Sequence, residues 1–406
     1  LRRTGPKGSG QFRRIAWDEA LAEIAERWRT ILAEDSPYAI LPFLGSGSEG
    51  LVQGRIAGRR FFNRRAGLVA GLILALYPPA IFYDGLIHKA GLLLFLTALL
   101  FHLLASAVDS ASWRRWLVCG GVSGLLALTQ ENMLVLLAVV PACILLRTRS
   151  GDIGRRTALA GSFTIGMGLL LSAVALRNYS VGSVFAVTTS NAGQNFYIGN
   201  NPEATGLYEP LSRGRQNPAQ EREDAIRMAE QAEGRSLSPG EASNHWLRCG
   251  LDFVRDRPGA WVRLFLHKLM LTWNRFEAPD ADDLTVYAEW SGLLKFPASL
   301  LHFGVLAPLG LAGIALVSRR SRGLGLLCAI TVAVTLAIAL FFVFGRYRLP
   351  LVPILALFAG AGAVGAIECA RGGRRRPLIV AALTLVVSAI ATNWPLVDER
   401  ASHSVG

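Results

Sequence analysis

From Ala66 onward the chain alternates long apolar runs with short polar connectors. Crossing about 30 Å of hydrocarbon takes roughly 20 mostly apolar residues, and run after run approaches that length. AGLVAGLILALYPPAIFYD predicts a first crossing, and HKAGLLLFLTALLFHLLASAVD a return to the connector at Trp113, Arg114 and Arg115. WLVCGGVSGLLALTQENMLVLLAVVPACILL is too long for one crossing; divided at Thr129 to Asn132, it predicts a tight hairpin. TALAGSFTIGMGLLLSAVAL leads out again to Arg177. SLLHFGVLAPLGLAGIALVS, LGLLCAITVAVTLAIALFFVF, LPLVPILALFAGAGAVGAI and PLIVAALTLVVSAIATNW follow later. The pattern predicts about nine spans, five within 59–177 and four within 298–393, before a short tail at 394–406.

Two stretches break that rhythm. Residues 1–50 read as a basic turn, GPKGSG, then a charged helix with Trp17, Leu21, Ile24, Trp28 and Ile31 on one stripe. AILPFLG after it predicts a short buried strand. The second stretch, 178–295, is long enough to form a mixed domain of its own. SVFAVTTSN alternates like a strand, and IGNNPEATG is a turn cluster. Ser238 as N-cap, Pro239 at the first helical position and Glu241 form a capping box, and Pro258-Gly259 ends that helix. WVRLFLHKLMLTW, residues 261–273, is too apolar for water and too short to span. With Arg263, His267 and Asn274 as a narrow polar stripe, it predicts an interfacial helix, Trp261 and Trp273 lying at headgroup level. The expected fold class is mainly α, a polytopic helical membrane protein with a mixed outer loop domain.

Composition sharpens this. The chain has 406 residues, 52% of them hydrophobic, and a mean hydropathy of +0.37. A net charge of +13 could suggest nucleic acid, but the arginines are gathered in short connectors at 64–65, 114–115, 147–156, 319–322 and 371–376. The 178–295 loop carries more acids than bases. That asymmetry is the positive-inside signature. It puts residues 1–65 in the cytoplasm, the long loop in the periplasm or outside, and the protein in a bacterial inner membrane. Nucleic acid is excluded as a partner on the same ground. Only Cys249 of the five cysteines lies in the long loop, so no disulfide framework and no metal spacing is expected. No apolar stretch follows the first basic residues, so no signal peptide is expected there.

FGRYRLPLVP is the sharpest motif. Arg346 and Arg348 stand at the outer end of a span, against the topology rule. They are either anchors snorkelling to lipid phosphates or a cationic clamp for a phosphate, whose oxygens suit the guanidinium fork. The clamp is the favoured reading, with Lys89 or Lys268 assisting. YPPAIFYDGLIHKAG brings Asp84, His88 and Lys89 to the same face, as a polar rim or as part of a site. TQENM adds Glu131 and Asn132 at the neighbouring hairpin tip, where capping would equally explain Asn132. The histidines are scattered, no HExxH is present, and no metal is expected. GPKGSG lacks the strand before it and the GK[ST] helix start of a phosphate loop.

From about Arg59 to Asn393 these motifs resemble the GT-C superfamily of polytopic glycosyltransferases. The likeness is to the glycosyltransferase family 39 type, which includes the dolichyl-phosphate-mannose protein mannosyltransferases and the aminoarabinose transferase of lipid A. RRFFNRRAGLVAGLILALYPPAIFYDGLIHK, LLALTQENML, RNYSVGSVFAVTTSNAGQNFYIGNNPEATGLY, WLRCGLDFVRDRPGAWVRLFLHKLMLTWNRFEAP and FGRYRLPLVPILALFAG carry it. The resemblance implies an inverting hexosyl or pentosyl transfer from a polyprenyl-phosphate-linked sugar donor to a glycan, lipid or protein acceptor at the outer membrane face. It also implies a carboxylate base, which in the family lies in the first outer loop after the first span. The resemblance begins beyond that loop, so the chain is expected to be an N-terminally truncated member with impaired transfer; Asp84 is the nearest substitute.

The opening is similar to something else. RRTGPKGSGQFRRIAWDEALAEIAERWRTILAEDSPYAILPF resembles the early part of molybdopterin oxidoreductases of the dimethyl-sulfoxide-reductase type, with the join between Gly45 and Arg59. Ala16 stands where that family usually has a helix-capping Ser, a loss worth about 1 kcal/mol. No iron-sulfur cysteines and no later pterin-binding segments accompany it, so no molybdopterin and no other cofactor is expected. A fusion or rearrangement is the expected origin. A transporter or flippase of a lipid-linked substrate is the alternative for the membrane part, suggested by Pro78-Pro79.

Overall fold

The computed structural model describes residues 2–6, 11–34, 61–86, 88–110, 112–146, 153–182, 191–212, 218–280, 282–292, 294–295, 300–317 and 323–397. The chain divides into two compact units, Leu1–Leu44 and Gly45–Gly406.

In the first unit, β1 (Arg2–Arg3) and β2 (Phe12–Arg13) form an antiparallel pair, followed by α1 (Trp17–Glu34). The helix starts where the apolar stripe starts, with Asp18 and Glu19 in the first turn favouring its positive end. Arg13 pairs with Glu19 at 2.8 Å and Arg2 with Glu23 at 3.3 Å, surface contacts worth little in water. Trp17 and Leu21 stay exposed. The strand expected at AILPFLG lies outside the described residues.

The second unit is helical, and it is a mainly α membrane protein. A bent pair comes first, α2 (Arg64–Ala75) and α3 (Pro78–Asp84), meeting at 59°. Pro78 and Pro79 cause the break, because neither can donate to the preceding turn. Next come α4 (Lys89–Val108) and α5 (Trp113–Thr129). A 3₁₀ turn at Glu131–Val135 runs into α6 (Leu136–Leu145), and α7 (Ile153–Gly182) follows. Later in the chain lie α13 (Phe303–Leu316), α14 (Leu324–Ala339), α15 (Leu351–Arg371) and α16 (Arg375–Thr392).

Every run expected to span is thus a helix or a helix pair, and the hairpin turns at Gln130 as its pattern predicts. Length separates them. Among the described residues, four helices are long and apolar enough to cross a membrane, α4, α7, α15 and α16, or five counting the bent pair. The others are shorter: a 14-residue helix such as α13 rises only about 21 Å.

Small residues set the packing. A Cβ at Gly120 would fall 2.0 Å from the Phe163 carbonyl oxygen, and one at Gly166 equally close to that of Leu117, so α5 and α7 touch backbone to backbone. The α15 helix is the centre of the bundle, its residues from Leu351 to Phe358 all buried. By contrast α16 turns Leu383, Val387 and Ile390 outward, an apolar face suited to lipid.

Between α7 and α13 lies the 178–295 domain. It holds α8 (Ala192–Gly199), α9 (Pro218–Glu233), α10 (Pro239–Asp256), α11 (Pro258–Trp273) and α12 (Leu284–Trp290). The capping box at Ser238 is present as read, the Glu241 carboxylate accepting from the Ser238 backbone at 2.9 Å. Those bonds and the neighbouring Arg235 hold the Glu241 carboxyl at about 2. The expected strand at SVFAVTTSN falls largely outside the described residues. Among those described, this domain is helical rather than mixed, its one β-bridge pairing Leu207 with Val343.

Candidate functional site

The RYR segment forms a 3₁₀ turn, Gly345–Arg348, between α14 and α15. Three remote pieces of chain pin it and the β-bridge residue before it. The Gly345 N–H donates to Ala278 O at 3.0 Å, and Val343 N–H to Gly206 O at 2.9 Å. Gln130, at the hairpin tip, donates from Nε2 to Tyr347 O at 3.0 Å. The approach at Gly345 is close: a Cβ there would lie 2.7 Å from Glu277 Oε2 and 3.2 Å from Ala278 O.

The two arginines differ sharply. Arg348 is 1% exposed. Its guanidinium donates to the carbonyls of Asn274 and Phe276, pairs with Glu277 at 2.7 Å and lies over the Phe303 ring. Both terminal nitrogens are taken, with only Nε left without a partner, so Arg348 holds the loop after α11 and its buried fork is not open to a phosphate. Arg346 is the outward member. It pairs with Asp280, lies over the rings of Phe344 and Tyr347, and places Nη1 2.7 Å from His88 Nε2.

His88 decides what that last contact can be. As N-cap of α4 it sets Nδ1 3.1 Å from the Ala90 nitrogen. Burial first, then the charges of Arg346 and Lys89, lower the His88 pKa against the opposing pull of Asp280 and Asp282, so the ring stays neutral. An arginine N–H can only donate, so in the closer contact Arg346 Nη1–H donates to His88 Nε2. The same Nη1 pairs with Asp280. The Arg346 Nε is left buried and without a hydrogen-bond partner among the described residues.

The remaining residues read from sequence are distributed around this turn. Lys89 begins α4 next to His88. Asp84 ends α3 and packs over Gly91, where a Cβ would lie 2.8 Å from its Oδ1. Glu131 and Asn132 open the 3₁₀ turn beside Gln130. Lys268 belongs elsewhere. Its Nζ is fully buried and donates to Gly199 O (2.9 Å), Phe341 O (2.9 Å) and Asn200 Oδ1 (3.0 Å). Asn200 in turn accepts from Trp261 Nε1 and donates to Phe196 O and Leu340 O. Lys268 is thus a joint between α8, α11 and the end of α14, not a helper of the clamp. Burial lowers its pKa to about 7. Sequence reasoning missed Glu277, Asp280 and Gln130. The NRFEAPDADD stretch, an acid cluster just after an interfacial helix, was the available signal.

Among the described residues no group of three or more His, Cys, Asp or Glu side chains could hold a metal ion. No family model matches the chain. A 64-residue stretch, 16% of the chain, is 39% identical to the probable oxidoreductase YoaE of Bacillus subtilis. The match covers 9% of that protein's length.

Proposed function

We propose that the second unit is a GT-C-type membrane glycosyltransferase that receives a polyprenyl-phosphate-linked sugar at the outer face of a bacterial inner membrane. The observation that carries this reading is the two cations Arg346 and Lys89 gathered around neutral His88, with the Arg346 Nε buried and unpartnered among the described residues. Such a spot calls for a phosphate oxygen, and charge-assisted hydrogen bonds to one are among the stronger polar contacts. The nine apolar helical segments support nine crossings or re-entrant pieces, with 178–295 outside. Asp84 is the carboxylate we assign as base for a glycan, lipid or protein acceptor. The 64-residue oxidoreductase likeness we assign to the opening unit, which takes no part in this chemistry.

Donor binding by purified protein in detergent tests the reading. Arg346→Ala and His88→Ala should each weaken binding of a polyprenyl-phosphate sugar by about tenfold or more. Asp84→Asn should leave binding intact and abolish transfer. Equal binding by all three variants and the parent protein would sink the site. The bend of 59° between α2 and α3 favours a second reading, a carrier of the same lipid-linked substrate. Movement of a labelled donor across vesicles without sugar transfer would select it.

A further inference from the structure

A second cluster of chemistry-bearing side chains stands in the 178–295 domain, where α9 meets α10. Glu233 ends α9, and His245 and Cys249 lie one turn apart on α10. Gly234, at φ +67°, supplies the left-handed residue that ends α9. Trp246 ties the two helices together, its ring buried and its Nε1–H donating to Ala225 O at 3.0 Å. The His245 ring meets the Trp246 ring edge to face, with centroids 5.4 Å apart.

Glu233 Oε1 lies 2.9 Å from His245 Nδ1, and Cys249 Sγ lies 3.6 Å from His245 Nε2, within reach for sulfur. The bond from His245 holds the Glu233 carboxyl below its usual range, so it is ionised and can only accept. Nδ1 therefore carries a proton, and in the neutral ring Nε2 is the acceptor that faces the thiol. The order is nucleophile, base and orienting acid. None is sealed off: the His245 and Glu233 side chains are 15% and 26% exposed, and Cys249 is partly buried.

Burial first, then Asp252 and more weakly Glu233, push the Cys249 thiol up against the pull of Arg248. Tyr197 of α8 is its other titratable neighbour. Such a thiol reacts poorly unaided, and a base in contact is what it needs. Sγ projects from the middle of α10, whose N–H groups there are taken up by the helix. The helix therefore offers no donor to an oxyanion, as acyl transfer would require. Disulfide exchange develops no oxyanion.

We propose that Cys249, with His245 as its base and Glu233 positioning that base, exchanges with small-molecule disulfides. His245 Nε2 takes the thiol proton, and Sγ attacks one sulfur of the disulfide. The old S–S bond breaks as the new one forms, and the leaving thiolate takes the proton back from Nε2. The product is a mixed disulfide on Cys249 and one free small thiol.

The test treats the full chain in detergent with glutathione disulfide and reads intact mass and the modified peptide. Uptake of one glutathione at Cys249 is expected. His245→Ala should slow it by about tenfold or more at pH 7, and free imidazole should restore part of the rate. Below pH 7 the variant should lose about tenfold per pH unit, as a lone thiol does, and the parent less. Glu233→Gln keeps an acceptor for Nδ1–H without the charge and should slow uptake several-fold. His245→Gln repeats the measurement if His245→Ala melts early. Parent-like rates and pH profiles in the histidine variants would overturn the proposal, as would uptake only at other cysteines or none at all.

Discussion

Two arginines separated by one residue do different work, and substitution should separate them. Arg348 is enclosed with Glu277, so Arg348→Ala strands a largely buried carboxylate and two carbonyls. Breaking such a pair costs about 3–5 kcal/mol. Melting in detergent should show a large loss of stability, whereas Arg346→Ala should melt close to the parent. Lys268 adds a pH signature. Its pKa of about 7 in the folded protein lies below the ordinary 10.5, so between those values the unfolded chain binds the extra proton. Stability should therefore rise with pH from about 7 towards 10.5 and lie level below 7, where both states hold the proton. Lys268→Met should flatten that rise; identical melting profiles for parent and variant from pH 6 to 9 would refute it. None of this could be read along the chain. Sequence shows a charged residue near a membrane edge, but only the packed fold shows whether its donors are already taken. Glu277 and Asp280 were hidden for the same reason, since their partners follow no local period.

At the scale of elements the sequence was far more legible. Apolar runs become helices because their composition leaves no other way to satisfy the backbone in an apolar surrounding. The Ser238 capping box appeared as written, since its four residues contain all its partners. Ser238→Ala should cost about 1 kcal/mol, measurable as reduced protection of the α10 amides from hydrogen exchange. Which apolar helices would reach full span length was not legible, because the breaks at Tyr77 and Gln130 shorten elements without interrupting apolarity. The α5–α7 crossing offers a stricter test. Gly120→Val would drive a side chain into the Phe163 carbonyl, 2.0 Å from the Cβ position. We expect loss of folded protein from the membrane fraction; wild-type yield would show that the helices can separate without harm.

For the whole molecule, the chain divides into two compact units, Leu1–Leu44 and Gly45–Gly406. Deleting residues 1–50 should leave membrane insertion and melting unchanged, and a marked loss of folded protein would contradict that independence. The turn at Gly345–Arg348 carries a wider consequence. Its hydrogen bonds reach Gly206, Ala278 and Gln130, residues far away along the chain and on separate elements. Contacts so distant in sequence close late, after the entropy of the intervening loops has been overcome. The arginine turn is therefore a completion signal for assembly. A chain stalled during insertion, with the 178–295 domain undocked, would carry the motif but not its shape. Under the function proposed above, it would be unable to capture its donor before assembly is finished.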